Sequence, residues 1–176
     1  MTSLEMTAKL KSADEFIAAS NGADVTKPRS GGKSLLMYTV GNTSLPDRYI
    51  ASHWLLDQGC PLGAPNSEGY TELHVLFGQV EHDIAEDVRL ARRLIEIGAD
   101  VNAVSPRGGL VFCEVLRMKY TDEDLEPIYS LWFEQPVVLD FQTPSKHGTT
   151  PLAWACNVPY RASIVERMER YLAEHA

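Results

Sequence analysis

The chain has 176 residues, enough for one domain with a buried core. Hydrophobic residues make up 44% and charged residues 23%, as in ordinary globular proteins. Acidic residues outnumber basic ones 24 to 16, and a formal charge of −8 repels phosphate backbones, so nucleic acid is not expected as a partner.

The N-terminal stretch MTSLEMTAKLKS has no continuous apolar core of the signal-peptide kind. The strongest apolar run, Leu35 to Val40, is too short to span a bilayer. A cytoplasmic protein without membrane contact is therefore expected. Cys60, Cys113 and Cys156 are far apart and odd in number, which fits neither a disulfide framework nor a zinc knuckle; buried free thiols are expected.

Along the chain, the first helix signal is the capping-box spacing of Ser12 and Glu15 before Phe16-Ile17. NGADVT follows at Asn21, then GKSLLMYTV from Gly32. Ser44 and Pro46 announce a helix carrying Ile50, Trp54 and Leu55, and GCPLGA follows at Gly59. The same order returns. GYTELHVLF starts at Gly69, and Ile84, Val88, Ala91, Leu94 and Ile95 form an apolar face at helical spacing. Gly98 then fits a left-handed helix end before GADVNA.

A third round runs from GGLVFCEVL at Gly108 through Thr121, which precedes Asp122, Glu123 and Asp124, to VLDFQT at Val138. Here Pro127 is expected to kink or delay the second helix. The last round opens with GTTPLAWAC at Gly148. Thr150 is placed to cap and Pro151 to take the first helical position, and Asn157 and Pro159 signal the final helix.

The opening glycines lie 37, 39 and 40 residues apart. One supersecondary unit repeated in tandem, each reading turn, short helix, second helix, turn, accounts for this. Gly148, Thr150, Pro151 and Leu152, then Gly69, Thr71, Leu73 and His74, and above all Gly98-Ala99-Asp100-Val101-Asn102 resemble the ankyrin-repeat family. The resemblance covers nearly the whole chain from about Ser12. It implies an all-α, ankyrin-type helix-turn-helix repeat solenoid in one domain, with units at about 1–28, 29–65, 66–104, 105–144 and 145–176. These units exceed the usual period of about 33 residues, and the extra residues fall between the two helices, around 40–46, 78–83 and 118–122. The fourth unit is the most degenerate.

The resemblance further implies a non-enzymatic module that binds a protein on its turn tips and first helices. Carried over by position, that surface includes Lys33, Asn42, Glu68, Tyr70, Gln79, Arg107, Arg117, Met118, Lys146, His147 and Thr149. Tyr70 with Arg107 is the expected anchor pair, because such residues are enriched in hot spots. A second candidate is an acidic edge, Glu81, Asp83, Glu86 and Asp87 with Asp122, Glu123, Asp124 and Glu126. There a basic partner could dock, although acids at helix starts also serve the helix dipole.

His74 is expected to bond neighbouring turn backbone, and Trp54, Trp132 and Trp154 to pack in the core. His53, His82, His147 and His175 stand isolated and show no metal-ligand or catalytic spacing, so neither metal nor cofactor is expected. The expected protein is a monomer when free that masks or neutralises a protein. One narrower form is a bacterial immunity protein or antitoxin against a basic toxin or effector, and the alternative is a regulatory adaptor with several partners. A hydrolase is disfavoured, since no nucleophile, base and orienting group assemble from local motifs.

Overall fold

The computed structural model describes residues 3–106 and 109–175. The fold is mostly helical, with little strand. Among the described residues there are ten α-helices: α1 Leu4–Leu10, α2 Ala13–Ala19, α3 Leu36–Thr39, α4 Leu45–Asp57, α5 Glu72–Phe77, α6 Ile84–Glu96, α7 Val111–Arg117, α8 Asp122–Phe133, α9 Pro151–Cys156 and α10 Ala162–Glu174. One ribbon, β1 Val104–Ser105 with β2 Gly109–Leu110, is antiparallel.

Local chemistry starts most of these helices. Ser12 and Glu15 close a capping box on α2, as Thr121 and Asp124 do on α8. Asp83 accepts from the amides of Ala85 and Glu86 to cap α6. Thr150 accepts from Ala153 N at 3.1 Å, and Pro151 opens α9. Gly98, at φ 104°, ends α6 with the paired bonds of a Schellman turn, Ala99 N to Leu94 O and Gly98 N to Ile95 O, both 2.9 Å.

Two start signals act otherwise. Helix α8 begins five residues ahead of Pro127 and runs through it, so the proline does not delay it. Both Pro127 and Glu123, whose carbonyl the missing N–H would have served, are exposed. Asn157 belongs to the end of α9, where its Nδ2 donates to Ala153 O at 2.8 Å; a 3₁₀ turn, Pro159–Arg161, then intervenes before α10.

The helices form two layers. In one, α1, α3, α5, α7 and α9 pack each on the next; in the other, α2, α4, α6, α8 and α10 do the same. The turns that feed the first layer repeat one bond pattern. Arg29 N donates to Lys33 O (2.7 Å), Asn66 N to Tyr70 O and Ser145 N to Thr149 O (both 2.9 Å), and Ser105 pairs with Gly109 at the equivalent place. Adjacent turns touch. A Cβ on Gly69, already at φ 81°, would lie 2.2 Å from Pro106 Cδ, so this position demands glycine twice over.

The apolar core runs between the layers. Leu94 and Leu90 of α6 are fully buried; Phe77 meets Trp132 of the next unit at 5.2 Å between ring centres, and Phe112 packs on Trp132 and Phe141 at 5.8 and 5.2 Å. The long segments between paired helices are held by buried polar side chains. Arg48, 1% exposed, donates to Asn42 O and Glu81 O, both at 2.9 Å. Arg161 has no exposed surface and donates to Leu116 O, Met118 O, Tyr120 O and the Asp122 carboxylate at 2.7 to 3.1 Å.

Replacing Arg161 strands those acceptors in the interior. Arg161→Ala should cost about 3–5 kcal/mol, read as a lowered urea midpoint. A cost within about 0.5 kcal/mol, the range of surface substitutions, would show that the clamp contributes nothing.

Candidate functional site

The first-helix layer presents one side chain per unit at a fixed register. Counting four residues from the positions of Ser34, Thr71, Leu110 and Thr150 gives Tyr38, Val75, Glu114 and Trp154, and all four are half-buried. The spacing is contiguous where it can be measured. A Cβ on Gly41 would meet Val75 Cγ1 at 3.4 Å, and one on Gly78 would meet Glu114 Oε2 at 3.8 Å. Val75 and Glu114 thus each lie beside the end of the preceding unit's first helix. Lys33 and Gln79, both expected on this face, come together here. They line a groove of about 430 Å³ with Lys9, Tyr38, Asn66 and Val75, and the Lys33 ammonium lies 5.9 Å from the Tyr38 ring centre.

Glu114 is the unusual member. Burial pushes its carboxyl above the ordinary range, and Arg117, 3.2 Å away and exposed, pulls it partly back. The strip therefore combines an aromatic ring, an aliphatic group, a half-buried acid and an indole. Its register is readable from the repeat by offset alone, and of the expected residues Lys33, Gln79 and Arg117 adjoin it.

Other expected residues scatter over the turns. Tyr70 is half-buried and leans on the His74 ring at 5.5 Å; Glu68 is exposed beside it. Lys146 and His147 are exposed and Thr149 half-buried in the last turn. Arg107 lies outside the described residues, and so does its pairing with Tyr70. Two assignments to the surface are corrected. Met118 is 5% exposed, because its carbonyl is drawn inward to Arg161. Asn42 is 3% exposed, and its amide donates to Ala8 O and Lys11 O.

The acidic edge is largely committed to the fold. Asp87 is fully buried, a correction to its expected place at the surface: it accepts from Tyr49 Oη at 2.9 Å and pairs with His82 Nδ1 at 2.6 Å. Burial, then the Asp87 charge, push the Tyr49 phenol up, so it remains a donor. His82 is not isolated; its Nε2 faces Gln79 O at 2.9 Å, so both ring nitrogens are engaged and neither is open to a substrate. Asp83 caps α6, and Glu86 pairs with Arg89 at 3.1 Å. Asp122 binds Arg161 and the amides that open α10, Asp124 closes its capping box, and Glu126 meets Arg167 at 2.7 Å. Among these acids, Glu81 and Glu123 are exposed, with no side-chain partner among the described residues.

His74 stitches two turns. Its Nδ1 accepts from Thr71 N and its Nε2 faces Gly109 O at 3.1 Å; burial holds the ring below the usual imidazole range and so neutral. Cys60 and Cys113 are buried free thiols, but Cys156 is exposed, at the outer side of the last turn of α9. Trp132 is in the core, whereas Trp54 and Trp154 are only half-buried. Among the described residues no group of three His, Cys, Asp or Glu side chains could hold a metal ion, and no helix is long and apolar enough to cross a membrane.

The raised Glu114 sets a pH dependence. A folded-state carboxyl above its unfolded value of 4.5 contributes stability that is complete below that value and is lost as pH rises through the folded one. Glu114→Gln should therefore gain in urea midpoint relative to the parent as pH is raised from about 4 to about 7. A difference independent of pH would show that the carboxyl is not perturbed.

No family model matches the chain, and no curated protein matches it. Among solved structures, a functionally unknown protein from Leptotrichia buccalis C-1013-b is similar at 25% identity, with a TM-score of 0.78 over 98% of this chain and 94% of that one.

Proposed function

We propose that the chain is an ankyrin-type repeat solenoid acting as a non-enzymatic protein-binding module, which grips one protein partner on its first-helix face and masks it. The observation that carries this reading is the strip of Tyr38, Val75, Glu114 and Trp154. Backbone bonding repeats from turn to turn, yet the side chain at this register differs in chemistry every time. A framework that repeats while one half-buried register varies is suited to recognising an irregular surface. Tyr and Trp bring large contact area at low entropic cost, and such side chains dominate protein interfaces.

The narrower form is a cytoplasmic immunity protein or antitoxin, monomeric when free, that neutralises a basic toxin. A net charge of −8 supports it, because the field of an acidic protein speeds encounter with a basic one. The pairing of His82 with Asp87 does not argue for chemistry, since both ring nitrogens are already engaged.

Affinity capture from the native lysate tests the reading. The parent chain should retain one protein at 1:1, and Tyr38→Ala or Trp154→Ala should weaken that complex more than about tenfold while costing about 1 kcal/mol of stability. Several substoichiometric partners would favour a regulatory adaptor instead. A complex indifferent to both substitutions would rule out the strip as its site.

A further inference from the structure

The groove at the N-terminal end of the strip carries a charge opposite to that of the chain. It draws on three units, with Lys9 from α1, Lys33 and Tyr38 around α3, and Asn66, Val75 and Gln79 from the unit after. Two ammoniums line it and, among the described residues, no carboxylate does. Acidic residues outnumber basic ones 24 to 16, so two cations with no acid beside them are an exception in this chain. The lysines that find carboxylates lie elsewhere, Lys11 with Glu15 and Lys27 with Asp24. Glu5, four residues before Lys9 on the same helix, turns to Arg29 instead, at 3.9 Å. Lys33 is half-buried, and its ammonium has only the Tyr38 ring, 5.9 Å from the centroid.

The neutral polar group beside them is also set to donate. Asn66 Oδ1 accepts from the amides of Glu68 and Tyr70 at 2.9 and 3.0 Å, so its Nδ2 hydrogens are the part left without a partner among the described residues. Gln79 is the contrast, since its Nε2 already donates to Val75 O at 2.7 Å. Two like charges in one groove repel each other; a carboxylate set between them removes that repulsion and gains charge-assisted hydrogen bonds. Tyr38 and Val75, both half-buried, offer apolar contact next to the cations.

Charge selects the occupant. A long polyanion would bring its whole charge against a net −8, whereas one or two carboxylates meet chiefly the local field of the groove. A basic or purely apolar segment would leave the ammoniums and the Asn66 amide without acceptors. We infer that this groove seats an acidic segment of the protein partner, its Asp or Glu carboxylates on Lys9, Lys33 and the Asn66 amide and an apolar side chain against Tyr38 and Val75. The inference rests on the first-helix face being the gripping surface, and it adds that the partner's contact at this end is acidic even where its overall field is basic.

The full chain, labelled with nitrogen-15, can be titrated with three short capped peptides of alternating residues: Glu/Leu, Gln/Leu and Lys/Leu. The Glu/Leu peptide should bind at 1:1, with amide shifts clustered around Lys33, Tyr38 and Asn66, and the other two should not. Lys9→Gln with Lys33→Gln, at unchanged circular dichroism, should weaken it about tenfold. Lys9→Arg with Lys33→Arg keeps both charges and should retain it, and Lys119→Gln, an equal change of net charge elsewhere, should leave it unaltered. Equal binding of the Gln/Leu peptide, indifference to the double Gln variant, or no binding up to about 1 mM peptide would overturn the inference. So would displacement of the peptide by an equal concentration of inorganic phosphate, since any small anion would then be the occupant. The titration needs no captured partner, so it is separate from the strip: a captured complex weakened by Trp154→Ala but untouched by the double Gln variant sinks the groove alone, and one indifferent to Trp154→Ala but lost in the double Gln variant supports the groove alone.

Discussion

Backbone carbonyls buried between helices must find donors, and in this protein the long inter-helix segments make that requirement dominant. A short turn could satisfy itself or face water. Segments such as 40–44, 78–83 and 118–121 carry carbonyls inward, where helical bonding does not reach them. The chain answers with a line of side-chain donors. Asn42 reaches Ala8 O and Lys11 O, and Arg48 joins Asn42 O to Glu81 O. Tyr120 Oη donates to His82 O at 3.1 Å, and Arg161 closes on Leu116 O, Met118 O and Tyr120 O. Each link joins different units, so the row holds together across the whole length rather than unit by unit.

That line explains why charge here is a poor guide to surface. Arg48, Arg161 and Asp87 are among the most buried side chains, and each is tolerated inside because several hydrogen bonds replace its water. Arginine suits the task, since one planar fork serves several carbonyls at once. The acidic groups near the helix starts are drawn into the same system. Asp122 alone takes bonds from Arg161, Tyr129 and two amides of α10. Much of the acidity that looks like a docking edge is therefore bonded into the framework: Asp87 is buried, and Asp83, Asp124 and Glu126, though exposed, each hold a partner.

Apart from that polar line, the two layers present surfaces of different character. The first-helix layer shows a mixed strip with lysines near one end and Glu114 and Trp154 further along. The second-helix layer shows an apolar hollow floored by Ile17, Leu45, Ile50 and Trp54, whose rim carboxylates Asp57, Asp83 and Glu86 are already bonded to Arg93, to the α6 amides and to Arg89. Stacking creates both, because each draws residues from successive units, and no single helix pair could present either one.

Sequence alone determined most of the helices and their order, α1 excepted. Capping boxes at Ser12 and Thr121, the Thr150-Pro151 start, the Gly98 helix end and the spacing of the opening glycines act through bonds only a few residues long, so their signals are local and legible. His74 was legible for the same reason at one end, its Thr71 contact, and through the repeat at the other. Tertiary structure alone decided which polar residues are buried. Asp87, Met118 and Asn42 read as surface because partners such as Tyr49, Arg161 and Ala8 lie 34 to 43 residues away. No local pattern records a contact of that separation. The same distance hides the strip and the hollow, whose members become neighbours only when one unit stacks on the next and buries the apolar face that neither can bury alone.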